Sequence, residues 1–303
     1  MYLEQSTFLN DRVIPNSGKN INSLRYSRQQ RDEILRRFHG NLPMSIMKAE
    51  IKPRDNDPAS GTYRKSSPVD PNSPLAEIFD VSGQSVRSGA LSMFPQNIGR
   101  AALLLYSQEG DIVVDPFAGH NSRMELCVKE NRHYIGYDIS QSFMTYNQSL
   151  ASELRDDYNT KIHLYLGDSR DMKMVANATG DFTLTSPPYY DLEDYGNEPE
   201  QLGKVHTYKE FLVELGKVAR ENFRCLKNGA FCVWFVNDFR RRGVFYLYHI
   251  DVLKLLTEAG FIPWDLMIVD LGYPIRAAFA TQIVEQKILP KRHEYGLIMQ
   301  KPN

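Results

Sequence analysis

The residues of this chain best suited to do chemistry are Thr185-Ser186-Pro187-Pro188-Tyr189-Tyr190, directly after the apolar run Asp181-Phe182-Thr183-Leu184. The run reads as a buried strand. Two successive prolines can neither extend its ladder nor begin a helix, because each ring removes an amide hydrogen and fixes φ. The backbone therefore leaves the sheet extended and rigid. Two of its carbonyls point away from internal partners, with the Ser186 hydroxyl before them and the Tyr189 ring after them. Such a set can accept hydrogen bonds from an amino group while the ring stacks on the flat system that carries it. Taken alone, the tetrapeptide is equally well read as a proline-stiffened loop at a strand end.

A second motif upstream narrows the choice. Asp111-Ile112-Val113-Val114 runs into Asp115-Pro116-Phe117-Ala118-Gly119, and a helical stretch follows from Arg123 to Glu130. Strand, tight glycine turn and helix is how an open α/β sheet presents a nucleotide-like cofactor at the carboxyl end of its first strand. The next strand, His133-Tyr134-Ile135-Gly136-Tyr137-Asp138, ends in an acid suited to ribose hydroxyls. With these two motifs the chain resembles the amino-methyltransferases of DNA, which carry D-P-F-x-G and [S/N/D]-P-P-[Y/F] and act on cytosine or adenine. The run Ser186 to Gly196 is similar to the cytosine-type members in particular.

That resemblance implies a Rossmann-like class I methyltransferase fold: an α/β, mostly parallel seven-stranded sheet with helices on both faces, plus an N-terminal extension. It implies S-adenosylmethionine as cofactor, contacted by Phe94, Pro95, Asp115, Phe117, Gly119, Asp138 and Asp168. Phe94-Pro95 would close over the methionine part, and Gly167-Asp168, ending the strand Ile162 to Leu166, would meet the adenine amino group. Ser186, Pro187, Pro188 and Tyr189 would be catalytic: Ser186 and the Pro187 carbonyl accept the hydrogens of the target amine, and Tyr189 stacks on the base. A base inside a duplex cannot reach such a site, so double-stranded DNA would be bound with its target flipped out.

The motifs fall at consecutive strand ends in one order, across residues 90 to 301. Transfer to the exocyclic nitrogen of cytosine is the leading expectation, because Ser186 heads the Pro-Pro motif where adenine enzymes more often carry Asp or Asn. Adenine N6 methylation, RNA methylation and a non-catalytic relative are the alternatives. The last is motivated by Asn121, which stands where the family commonly has a second glycine; its side chain narrows the approach to a cofactor. A restriction partner and a solitary or phage-borne modifier are equally compatible with these residues.

These motifs need elements to hold them. The chain has 303 residues, 42% hydrophobic and 11% aromatic, enough for one large α/β domain with an appendage. Residues 1–75 read as an N-terminal arm, a basic helix from Ser27 to Phe38 and a Pro-rich linker; residues 76–303 read as the catalytic domain. Helices are expected from Ser140 to Tyr158, from Tyr208 to Leu226 with Gly229 as its stop, and from Phe245 to Ala259 ending at Gly260. Ala230 to Val236 reads as a central strand, and Trp264 to Asp270 and Glu294 to Met299 as the last two.

The net charge is −1, so no global field attracts nucleic acid. Local clusters must do so: the arginines at 25, 28, 31, 36 and 37; Arg240-Arg241-Arg242; and Lys287, Lys291 and Arg292. Each reads as well as a solvated face. No block of about 100 residues remains for target recognition, leaving the N-terminal 75 residues, the loop Glu193 to His206 or the loop Gly272 to Pro290. Cys127, Cys225 and Cys232 lie in apolar patterns without metal-ligand spacing and read as reduced core thiols, so no metal is expected. With no apolar span or signal pattern, the chain reads as cytoplasmic, without a membrane partner.

Overall fold

The computed structural model describes residues 28–37, 44–49, 94–119, 122–191, 200–271, 285–289 and 291–303. Asn121, Arg25, the Pro-rich stretch with the boundary near residue 75, half of the Glu193 to His206 loop and most of the Gly272 to Pro290 loop lie outside them. Among the described residues, helix α1 (Arg28–Arg37) and strand β1 (Ile46–Lys48) precede α2 (Gln96–Tyr106), β2 (Ile112–Asp115), α3 (Ser122–Lys129) and β3 (His133–Asp138). Then come α4 (Gln141–Asp157), β4 (Ile162–Leu166), β5 (Gly180–Thr185), α5 (Tyr208–Cys225) and β6 (Leu226–Val236). A short hairpin of β7 (Phe239–Arg241) and β8 (Val244–Tyr246) leads into α6 (Tyr248–Ala259), β9 (Ile262–Asp270) and β10 (His293–Gln300).

The main sheet runs β1-β9-β10-β6-β5-β2-β3-β4. The strands β4, β3, β2, β5 and β6 are mutually parallel, while β10 is antiparallel to both β6 and β9. Numbered from β2, the order is 3-2-1-4-5-7-6. This is the doubly wound arrangement with one antiparallel strand slipped in near its far edge, a Rossmann-like methyltransferase fold. The expectation of seven strands needs one correction. An eighth, β1, adds parallel to β9, with Ile46 opposite Ile268 and Lys48 opposite Asp270. Three residues are too few for periodicity to reveal, and the pairing partner lies at the other end of the chain.

Strand alternation sorts the core into two layers. In β6, Phe231, Val233 and Phe235 face the layer that includes residues of α2, α3 and α4, whereas Ala230, Cys232, Trp234 and Val236 face α5 and α6. Buried polar atoms in this second layer are matched: Asn222 donates to Thr183 Oγ1 at 2.6 Å and accepts from Trp234 Nε1 at 3.1 Å. Leaving either unpaired would forfeit about 1–3 kcal/mol. Helix α5 opens on a capping box of Thr207 and Glu210, a strong local start signal. The three cysteines are buried, and burial raises each thiol pKa, which keeps them unreactive.

Two expected helix ends shift. Helix α5 stops at Cys225 and β6 begins at the next residue, so Gly229, at φ +78°, sits inside the strand rather than after the helix. Its backbone is held by Lys301, whose carbonyl accepts from Gly229 N at 2.9 Å. Helix α6 begins at Tyr248, because Val244 to Tyr246 pair with β7; its expected stop, Gly260, does cap it at φ +113°. Helix α1 is tied to the body by ion pairs of Arg37 with Glu109 and with Glu130, and Arg36 pairs with Glu33. Among the described residues no helix is long and apolar enough to cross a membrane.

Candidate active site

The chain winds from β2 outward to β4, then returns to place β5 on the other side of β2. A crevice opens at the carboxyl ends of the strands where the winding direction reverses, the usual ligand position in an open α/β sheet. A cleft lies there, with about 1190 Å³ of open space including its mouth. Phe94, Pro95, Phe117, Gly119, Asp138 and Asp168 line it together with Ser186, Pro187, Pro188 and Tyr189. Motifs scattered over nearly 100 residues of sequence thus converge on one space. Asp115 is the exception among the expected site residues.

Asp115 is fully buried below the cleft and organises its floor. Its carboxylate accepts from Arg123 Nε at 2.7 Å, the Tyr134 hydroxyl at 2.8 Å, Thr185 Oγ1 at 2.6 Å and Phe117 N at 3.1 Å. The Thr185 bond ties the glycine-turn motif to the residue preceding Ser186. Burial is the largest single influence on Arg123 and disfavours its charge, but Asp115, Tyr134 and Asp138 together outweigh it and the net direction of its pKa is upward. Arg123 also donates to the Phe117 carbonyl and lies 5.5 Å from the centre of the Phe94 ring. That ring is seated tightly over Gly99, where a Cβ would come within 2.4 Å of it.

Gly119 turns at φ +49°, where a side chain would be strained, and donates to Asp138 Oδ2 at 2.7 Å. Asp138 also accepts from Ser140 N at 2.8 Å. Burial pushes its pKa up to about 6, against the lowering effect of these two amides. Asn147 of α4 holds the turn from the other side, donating to the Gly119 carbonyl at 2.8 Å. Asp168 is paired with Arg170 Nε at 2.7 Å, and Arg170 reaches on to Glu214 at 2.6 Å.

At the end of β5, the Ser186 hydroxyl makes no hydrogen bond among the described residues. The Pro188 carbonyl accepts from Tyr248 Oη at 2.9 Å, which pins the loop at its second proline. Tyr248 is completely buried, and burial raises its pKa well above the ordinary phenol value, keeping it a donor. Tyr189 packs against Phe239 at 5.8 Å between ring centres and against Tyr248 at 5.7 Å. These aromatic neighbours brace its orientation.

Several residues at the site were not singled out from the sequence. Arg123 reads there as an ordinary helix residue, and Tyr248 as one more aromatic in an amphipathic pattern. Glu294, at the start of β10, also lines the cleft.

Comparison with known proteins bears on this geometry. A family model described as DNA methylase, for N6 and N4 amino-methyltransferases, matches residues 15–149. The match takes in Phe94, Pro95 and the strand ends at Asp115 and Asp138, and stops before Asp168 and the Pro-Pro motif. The orphan methyltransferase M.BamHII of Bacillus amyloliquefaciens is 38% identical over 52 residues, 17% of this chain and 20% of that protein. The chain thus spans only a fifth of the length of that curated relative. Among solved structures, a SAM-dependent methyltransferase from Methanosarcina mazei is 14% identical, covering 65% of this chain and 95% of its own at a TM-score of 0.46. A candidate DNA modification methylase of Thermus thermophilus, solved with S-adenosyl-L-methionine, is 29% identical over 45% of this chain and 52% of its own, at a TM-score of 0.33. The fold assignment rests on strand order, and over the first two strand ends the chain is similar to the amino-methyltransferases of DNA.

Proposed function

We propose that this protein is an S-adenosylmethionine-dependent DNA methyltransferase acting on the exocyclic amino group of a flipped base, with N4 of cytosine as its target. The observation that carries the reading is the meeting of Phe94-Pro95, Phe117 to Gly119, Asp138, Asp168 and Ser186 to Tyr189 around one cleft at the switch point. The cleft fits the cofactor: carboxylates at Asp138 and Asp168 suit ribose hydroxyls and an adenine amine, and the Phe94 and Phe117 rings supply apolar surface. When bound, S-adenosylmethionine supplies an electrophilic methyl group. The chain's part is to position the amine. Its lone pair is delocalised into the ring, so Ser186 and the Pro187 carbonyl accept its hydrogens and favour tetrahedral nitrogen. Tyr189, braced by Phe239 and Tyr248, stacks on the extruded base.

The cytosine assignment rests on Ser186. A hydroxyl can donate as well as accept, and cytosine places an accepting ring nitrogen beside its amine. The test is incubation with mixed unmethylated DNA and cofactor, followed by mass spectrometry of the digested nucleosides. The expected product is 4-methylcytosine. 6-Methyladenine would transfer the same site to the other base, methylated ribonucleosides from added RNA would redirect it to RNA, and no methylated nucleoside would overturn the reading.

A pH dependence follows from Asp138. Ribose hydroxyls donate to the ionised carboxylate, and its pKa near 6 in the free protein means that this acceptor is present above pH 6 and lost below it. Cofactor affinity should therefore hold steady from pH 8 to 7 and fall toward tenfold per pH unit below about 6, the behaviour of one linked proton. Calorimetry should show Asp138→Ala binding the cofactor more weakly by about 1.5–3 kcal/mol, with a flattened profile. A flat profile in the unaltered protein would remove Asp138 from the cofactor site.

A further inference from the structure

The β7–β8 hairpin is unexplained by the cofactor cleft or by the packing of the sheet. It forms its own two-stranded ribbon immediately after the carboxyl end of β6, the edge at which the cleft opens. Its two central turn residues, Arg242 and Gly243, have φ of +48° and +82°, the signature of a tight hairpin turn. A ribbon of three residues per strand is not stable by itself. Its inner face is stapled to the catalytic loop instead: Phe239 and Tyr246 stack at 4.9 Å and reach the rings of Tyr189 and Tyr190, and Arg241 pairs with Asp191 at 3.1 Å.

Period-two alternation sends Arg240 and Phe245, a cross-strand pair, to the opposite face. There the Arg240 guanidinium lies 5.3 Å from the centre of the Phe245 ring, and Phe245 remains 44% exposed. The tip adds Arg242, whose side chain is 79% exposed although one of its nitrogens reaches Asp191 at 3.0 Å. An exposed aromatic carried beside guanidinium groups, on a rigid ribbon fixed to the Ser186 to Asp191 loop, matches the chemistry of a base stack between phosphates. Proteins that open a duplex use such apolar wedges with basic flanks.

Building on the methyltransferase reading, we propose that the β7–β8 hairpin is the duplex-engaging element of this protein, with Phe245 entering the base stack at the position the flipped target vacates and Arg240 and Arg242 contacting the flanking phosphates. Extruding a base costs on the order of a few kcal/mol, and a ring that takes its place in the stack offsets part of it. The hairpin would thereby open the duplex beside the residues that receive the base.

The test uses the full chain and unmethylated plasmid DNA, in duplex and in heat-denatured form. Phe245→Ala should slow labelled methyl transfer into duplex by about tenfold while changing transfer into denatured DNA by less than about threefold, because single strands need no opening. The pair Arg240→Ala and Arg242→Ala should weaken duplex binding and reduce the salt slope by about one to two units. All three side chains are exposed, so cofactor affinity should be unchanged and serves as the folding control. If wild-type protein transfers methyl and the Phe245 variant does so equally on duplex, the hairpin proposal is overturned and the transferase reading stands. If wild-type protein transfers none, that reading fails; the binding arm then decides the hairpin, which an unchanged salt slope would overturn and a reduced one would support.

Discussion

Replacing Asp115 with alanine is expected to destabilise the fold by about 3–5 kcal/mol, the range for breaking a buried ion pair from one side. The carboxylate is fully buried and is the acceptor for four donors at once: Arg123 Nε, the Tyr134 hydroxyl, Thr185 Oγ1 and Phe117 N. Alanine would leave the buried Arg123 guanidinium, among the described residues, hydrogen-bonded to the Phe117 and Ala118 carbonyls and without its ion-pair partner. The Thr185 bond would go as well, releasing the loop that carries Ser186 from the turn that carries Gly119. Urea denaturation should show the loss as a lower midpoint. The companion experiment is Asp115→Leu with Arg123→Met, which removes both charges and should cost less than the single change, because an apolar pair leaves nothing buried and unpaired. A single-variant loss below about 1 kcal/mol would mean that water reaches Arg123 and that the network does not hold the site.

Ser186→Ala is expected to lower turnover by about 10²–10³, the scale for removing one preorganised polar group from a reacting centre, with cofactor affinity nearly intact. The hydroxyl lines the cleft one residue past Thr185, which Asp115 anchors, and two residues before Pro188, which Tyr248 holds. With both flanks fixed, removing one oxygen should leave the loop where it is and remove an acceptor for the target amine. The alanine variant should also bind duplex DNA as wild type does, since no phosphate contact is altered. Full turnover in this variant would leave the Pro187 carbonyl and Tyr189 as the groups that position the amine.

The strand ends that carry chemistry are readable from the residues alone. The expected strands His133 to Asp138 and Ile162 to Leu166 coincide with β3 and β4, because short apolar runs closed by Gly, Pro or Asp are local signals. The motif order from Asp115 to Tyr189 similarly implied one crevice, since each of these motifs sits at a strand's carboxyl end. Misreadings came where local signals were ambiguous. Gly229 looks like a helix stop whether or not the next strand has already begun, and Phe245 fits a helical pattern as well as a hairpin.

What the chain's order of residues determined by itself was the set of groups available at the strand ends and the class of ligand they suit, because turn chemistry and strand length depend on neighbours in sequence. Tertiary structure alone decided how those groups are used. It put Asp115 beneath the cleft rather than in it, since a D-P-F turn reads the same whichever way its acid points and the buried Arg123, Tyr134 and Thr185 side chains draw it inward. It sent the Tyr248 hydroxyl, 60 residues away, to the Pro188 carbonyl rather than to that of Pro187. It also added β1 to the far edge of the sheet and folded the arginine run at 240–242 into a ribbon beside the Ser186 to Asp191 loop. Each of these depends on contacts between distant segments, whose cost in chain entropy is met only when the whole sheet assembles.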